Sequence, residues 1–411
     1  MSKFRFYVGI DLGNSQQAIC VLDQNKKELS RQSVETNEVV SHLVRAIGQV
    51  PANEVAVAVE DRNNVVVDAL LELGFAVFSI NPKQADRFRD RMSASGAKDD
   101  RRDALVLARA LYTDMEFFLQ RPPLTELEAK MRIYRRREAT LAEEVGRLSS
   151  KLYSLVQRLD PSLLTLCAGA DEAWFWSLLL AVLPRKKPTA ASIKALMKHA
   201  GKRKLDEFVP TLMAVINNDA RARATEPLAS VVMDEVRSLV TVLRPIEKER
   251  LKASKDLVAF VEDEGKKERV TDDGQVVLST VAILLSMPGI GIKTAADLVA
   301  DATPLLHRDK VNQLRAVAGV APVTKQSGKS RSVSMRRACN PRLRNAMFHA
   351  AQAAVRHDVI FKKYLEKLLA AGHGRPRALR SVADRILRVL VSMLTSGTLY
   401  DPERATQAVA A

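Results

Sequence analysis

Three observations predict a mixed α/β plus α protein. Short apolar strands fill the first part of the chain, two long heptad runs fill the middle, and the remainder reads as helices around Gly turns and a basic stretch. The predicted domains are an α/β domain over 1–120, a central unit over 121–275, and a mostly helical domain over 276–411. The central unit is an antiparallel or dimerising coiled coil with a helical insert at 162–225.

The first domain opens with "RFYVGIDL" and "QAICVLD", two strands around a tight Gly turn, with Asp11 where the first strand ends. "EVAVAVE" at 54–60 alternates with period two and ends on Glu60. "NNVVVDALLELG" is a short helix closed by Gly74, which suits a C-cap. "FAVFSINP" is a further strand stopped by Pro82, and "DALVLARALYTDM" at 103–115 is an amphipathic helix.

Pro122 and Pro123 mark a boundary. Beyond them Leu127, Met131, Tyr134, Glu138, Leu141, Val145, Leu148, Leu152, Leu155 and Leu159 recur at spacings of three and four, with Glu138 the odd member. Val232, Val236, Leu239, Leu243, Ile246, Ala253, Leu257 and Phe260 form a second run. Two such helices make an antiparallel hairpin, a dimer arm or a bundle packed on itself. The insert carries both tryptophans in "DEAWFWSLLLAVL", followed by a basic helical stretch, "ASIKALMKHAGKRKLDEF". The polar "EDEGKKERVTDDGQ" at 262–275 reads as a flexible link.

In the last domain "LLSMPGIGIKTAADLVAD" holds the turn Pro288-Gly289-Ile290-Gly291 before a helix. It reads as a helix-hairpin-helix, in which the backbone at Gly289 and Gly291, with Lys293, grips a phosphate; the plain alternative is a Gly-rich helix junction.

A formal charge of +16 favours a polyanionic partner, above all nucleic acid. Three widely spaced cysteines, Cys20, Cys167 and Cys339, argue against a disulfide framework or a zinc knot and fit a reducing cytoplasm. The six histidines show no metal-ligand spacing. The N-terminus carries no apolar signal core, and no apolar run is long enough to span a bilayer.

Asp11 and Glu60 at strand ends, with Asp100 and Asp103 on one face of a helix start, can converge. Such a set repels itself unless a cation neutralises it, and oxygen ligands of this kind suit Mg²⁺. The plain readings are solvated strand ends and a helix cap, with Asp99 competing as a ligand. Actin-like nucleotide binding at "GIDLGNS" needs a second Asp-Gly loop and a Gly-rich adenosine loop, and neither is present in a strand context.

Residues 321–345 carry Lys325, Lys329, Arg331, Arg336, Arg337, Arg342 and Arg344 and no acid. Ser327, followed by Gly328, is a candidate nucleophile whose phosphoryl transition state these cations would stabilise. Ser330, Ser332 and Ser334 compete, and a loop that only binds phosphate is the alternative.

Taken in order, "YVGIDLG", Glu60, "INPKQADRFR", "KDDRRDALVLA", "MPGIGIKTAADLVAD", "LRAVAGVAPVTKQSGKS" and "LTSGTLYDP" resemble the insertion-sequence 110 family of DEDD transposases, relatives of the Piv-type invertases. The likeness covers about 1–120 and 278–405. It implies a RuvC-like domain with a ribonuclease-H-like fold, a coiled coil, and a transposase domain with a catalytic serine. By motif position the acids are Asp11, Glu60, Asp100 and Asp103, and the serine is Ser327. The family's Lys-Thr-Asp-x-x-Asp-Ala is here Lys98 to Ala104 with Asp99 in place of Thr. The resemblance further implies Mg²⁺ held by the acids, a covalent serine–DNA linkage and a noncoding bridge RNA that pairs with donor and target DNA. A dimer with a composite site, a tetrameric synapse and residence at a prokaryotic nucleoid complete the expectation. The alternatives are a Mg²⁺-dependent Holliday-junction resolvase or nuclease, and a nucleic-acid-binding scaffold without chemistry.

Overall fold

The computed structural model describes residues 4–60, 64–80, 82–92, 99–182, 189–199, 205–218, 220, 222–270, 274, 276–327 and 330–403. The chain divides into two compact units: Met1–Ala129 with Asp301–Ser396 and Tyr400–Ala411, and Lys130–Ala300 with Gly397–Leu399.

In the first unit, β1 (Phe6–Leu12), β2 (Gln16–Asp23) and β3 (Glu28–Glu35) form an antiparallel meander. Helix α1 (Val39–Ile47) then leads to β4 (Val55–Val59), α2 (Val65–Glu72) and β5 (Ala76–Ser79). Helices α3 (Pro82–Met92) and α4 (Asp100–Thr113) precede the short β6 (Leu119–Arg121). The sheet order is β3-β2-β1-β4-β5-β6, with β4 parallel to both β1 and β5. A meander followed by parallel strands is consistent with the RuvC-like domain that the resemblance implied.

Two apolar layers cover this sheet, as expected where strands are buried on both faces. Val8, Ile10, Ile19, Val57 and Leu43 build one, and Tyr7, Cys20, Ala58, Leu107 and Leu111 the other. Gly9 decides how near α4 comes. A Cβ there would lie 2.0 Å from the Ala104 carbonyl oxygen and 2.5 Å from the Ala108 nitrogen. Only glycine lets the helix backbone rest on β1 at this distance.

Helix α5 (Glu126–Leu159) starts with a capping box, in which the Glu128 carboxylate accepts from the Thr125 backbone N–H at 2.7 Å. In the second unit it is followed by α6 (Ala173–Val182), α7 (Ala190–His199), α8 (Leu205–Asn217) and α9 (Leu228–Lys266). Helices α5 and α9 run antiparallel within one chain. Tyr134 meets Phe260, Arg137 meets Asp256 and Lys151 meets Glu235, so the partner number falls as the first rises. Leu148, Leu152 and Val156 share one core with Val236, Val240 and Trp176 of the insert. The basic helical stretch contributes two helices, α7 and α8.

The described residues of the polar 262–275 segment are largely helix and strand rather than a flexible link. Helix α9 continues to Lys266, and β7 (Glu268–Val270) then pairs with β8 (Val276–Leu278). Helices α10 (Thr280–Ser286) and α11 (Ile292–Ala302) follow, joined by the Gly turn. The second compact unit runs on to Ala300 and so takes in α10 and nearly all of α11. The reason is an ionic clasp: Arg135 of α5 reaches Asp297 of α11 at 3.0 Å, and Arg132 donates to the Ala300 carbonyl at 2.8 Å.

The chain closes with α12 (Val311–Val317), the hairpin β9 (Val323–Ser327) and β10 (Ser330–Ser334), then α13 (Pro341–His357), α14 (Val359–Ala370) and α15 (Arg375–Ser396). No described helix is long and apolar enough to cross a membrane.

Candidate active site

The site begins with strand pairing. Ile10 of β1 is in register with Val59 of β4, and each strand then delivers one carboxylate, Asp11 and Glu60. Both are half-buried. The close seating of α4 on Gly9 brings Asp103 to the same place, where it is 4% exposed. Asp100 occupies the first turn of α4, where the helix N-terminus favours negative charge, and its side chain is exposed.

A cation already stands among these acids. Arg89 of α3 donates from Nε to Asp103 Oδ1 at 2.7 Å and from Nη2 to Asp103 Oδ2 at 3.0 Å. The same guanidinium bonds Asp86 at 2.7 Å and lies 3.8 Å from Glu60 Oε1. Burial pushes the Glu60 carboxyl above the ordinary range, and the like charges of Asp11 and Asp103 push it the same way, partly offset by Arg89. Asp11, Glu60 and Asp103 therefore form one electrostatic group, and Asp100 is outside this hydrogen-bonded network.

The donor chemistry fits Mg²⁺: oxygen ligands only, in acid excess, on rigid elements. As placed, no three described His, Cys, Asp or Glu side chains surround one ion position. The guanidinium supplies the neutralising charge instead. Neither Arg89 nor Asp86 was among the expected residues. Their signal was local: an i, i+3 acid–base pair inside "INPKQADRFR".

Ser327 is the exposed last residue of β9, paired with Ser330 of β10. The segment thus presents its serine from a two-stranded hairpin rather than from an irregular loop. Lys329 lies outside the described residues, and of Lys325 and Arg331 only the strand positions are described. Beyond the hairpin, Arg337 and Arg342 are exposed and Arg336 and Arg344 half-buried. This stretch is anchored at Asn340, which caps α13 by accepting from the Arg342 N–H at 2.9 Å and donates to Asp301 at 3.2 Å. Gly319, at φ +69°, packs against Cys339, whose Sγ would sit 2.8 Å from any Cβ there.

The Gly turn between α10 and α11 has the expected form, with Gly289 at φ +88°, a conformation that favours glycine. Lys293, expected to bind phosphate, is ion-paired with Glu138, which is 1% exposed. That pairing also explains the odd heptad member. Glu138 occupies a seam position as a buried acid held by Lys293 and by Arg135 at 2.8 Å.

Residues 8–161 match the model of the DEDD transposase family of IS110, and residues 281–366 match that of the transposase IS116/IS110/IS902 family. The chain belongs to the IS110 family of transposases. The IS110-family chain is 27% identical to the mini-circle putative transposase for IS117 of Streptomyces coelicolor, over 97% of this chain and 96% of that relative. The IS116 uncharacterized 44.8 kDa protein of Streptomyces clavuligerus is 26% identical over the same shares. The putative transposase y4uE of Sinorhizobium fredii is 33% identical over 42% of this chain and 49% of its own length. The protein is thus a DNA transposase, and DNA is its partner. The three clustered acids fall in the first matched segment and Ser327 in the second.

Proposed function

We propose that this IS110-family transposase cuts and rejoins DNA with a two-part centre. Asp11, Glu60 and Asp103, with Asp100 at the helix mouth, hold Mg²⁺, and Ser327 makes the covalent bond to DNA. The observation that carries the reading is the crowding of carboxylates around Arg89 among the described residues, where Asp103, Asp86 and Glu60 face one guanidinium and Asp11 adds its charge to Glu60. A bound divalent ion there would neutralise that negative charge and polarise a phosphoryl oxygen.

The chain's own residues divide the remaining tasks. Gly9 sets the depth of α4 and so the place of Asp103. The hairpin presents Ser327 Oγ, which loses its proton as it bonds phosphorus and the P–O bond to the leaving hydroxyl breaks. Cations of 321–345 steady the phosphate oxygens. Family membership extends the reading to a bridge RNA as guide. It also favours a homodimer or tetrameric synapse in which acids and serine meet across subunits.

Ser327→Ala tests the account. In strand-exchange assays the variant is expected to lose the protein–DNA adduct and recombination, while Ser330→Ala keeps both. Continued Mg²⁺-dependent cutting by Ser327→Ala would favour a resolvase or nuclease. Salt-dependent binding with no cleavage by the wild type would favour a scaffold.

A further inference from the structure

Helix α4 has a second functional side. Arg102 and Arg109 lie two turns apart along it, with Arg101 on the adjoining surface. With Arg31 of β3 they line an open cleft of about 480 Å³, in which Asp99 is the single acid among the described lining residues. Arg31 is paired with Glu28 at 3.2 Å, and Arg101 approaches the Ser33 hydroxyl at 3.4 Å. The guanidiniums of Arg102 and Arg109 have no hydrogen bond or ion pair with any described residue. Several guanidiniums facing one cleft repel one another, and an anionic ligand relieves that repulsion.

We propose that this cleft grips the phosphodiester backbone of the DNA that the acid centre cuts. The inference rests on the acid-centre reading, since α4 also carries Asp100 and Asp103. One residue along a helix turns about 100°, so Arg102 and Asp103 face different ways from adjacent positions. Arg102 and Arg109 are separated by about 10 Å along the axis, far enough to contact different phosphates of one strand. Among the described residues no aromatic ring lines the cleft. Without such a ring the cleft lacks the aromatic platform common in single-stranded RNA recognition, and its clustered guanidiniums suit contact with a phosphate backbone without sequence readout.

The test is fluorescence anisotropy of the full chain with a short DNA duplex across a salt series. Arg102→Gln and Arg109→Gln are each expected to make the slope of log affinity against log salt shallower by about 0.9, and together by about twice that. The loss is expected to be equal for unrelated duplex sequences, and Arg109→Lys to restore the slope. Arg147→Gln, at an exposed pair with Glu144, is the control that leaves the slope alone. A double variant with the wild-type slope overturns the proposal. So does a slope change seen on a structured RNA but not on duplex DNA. Failure of the acid-centre reading is separately visible, as divalent-metal binding that ignores Asp11→Asn while the arginine variants still flatten the salt slope.

Discussion

Two clusters in this transposase set carboxylates around a guanidinium, and their charge balance differs. Around Arg135 the acids are Glu138 and Asp297, and Lys293 supplies a second cation. Two charges of each sign meet, and the group closes on itself as a clasp between α5 and α11. Around Arg89 the acids are Asp103, Asp86 and Glu60, with Asp11 acting on Glu60 through its charge. Among the described residues negative charge here exceeds positive, and burial together with these like charges holds Glu60 above its ordinary range. A balanced cluster has finished its work when the chain folds. An unbalanced one on rigid strand ends has capacity for another cation.

The comparison is broken most sharply on its balanced side. Glu138→Ala strands Lys293 and half of Arg135, so a loss of about 3 kcal/mol in chemical denaturation is expected. Divalent-metal binding should be untouched. A loss below about 1 kcal/mol would mean that the clasp is incidental.

Arg89→Gln acts on the unbalanced side in two directions. Without metal the variant should be less stable, because Asp103 loses a bidentate partner. With metal, removal of the competing cation should tighten Mn²⁺ or Mg²⁺ binding about tenfold, equivalent to 1.4 kcal/mol. Weaker metal binding in this variant would show that Arg89 assists the ion rather than stands in for it.

The smallest effect is a pH dependence. A carboxyl whose folded pKa is raised binds its proton more readily in the folded state. Its contribution to stability is full below the ordinary carboxyl value of 4.5 and fades as pH rises through the folded value. Glu60→Gln cannot ionise, so in metal-free buffer the variant should gain on the wild type as pH rises through that window. Below pH 4.5 the two should converge. Parallel stability curves would contradict the like-charge crowding.

Much of this was legible in the residues. The β1, β2, β4 and β5 strands are apolar runs that stop at Asp11, Asp23, Glu60 and Pro82, and a buried strand leaves that trace. Strand β3 left none, because it lies at the sheet edge and carries polar residues on both faces. Helix α3 has one buried residue, Ala85, and so no apolar stripe to read. The acids Asp11, Glu60 and Asp103 were visible as strand-end and helix-start carboxylates. Arg89 was not, because a cation's meaning depends on which carboxylates the fold brings to it. Lys293 shows the converse: its motif suggested a phosphate, and the fold gives it Glu138.

The central claim is that the unbalanced cluster is a metal centre, and calorimetric titration of Mn²⁺ into the metal-free protein tests it directly. Saturable binding is expected in the wild type and in Glu138→Gln, and loss of that binding together with DNA cleavage is expected in Asp11→Asn. A wild type that takes up no divalent ion, or an Asp11→Asn variant that binds it as tightly, would contradict the account.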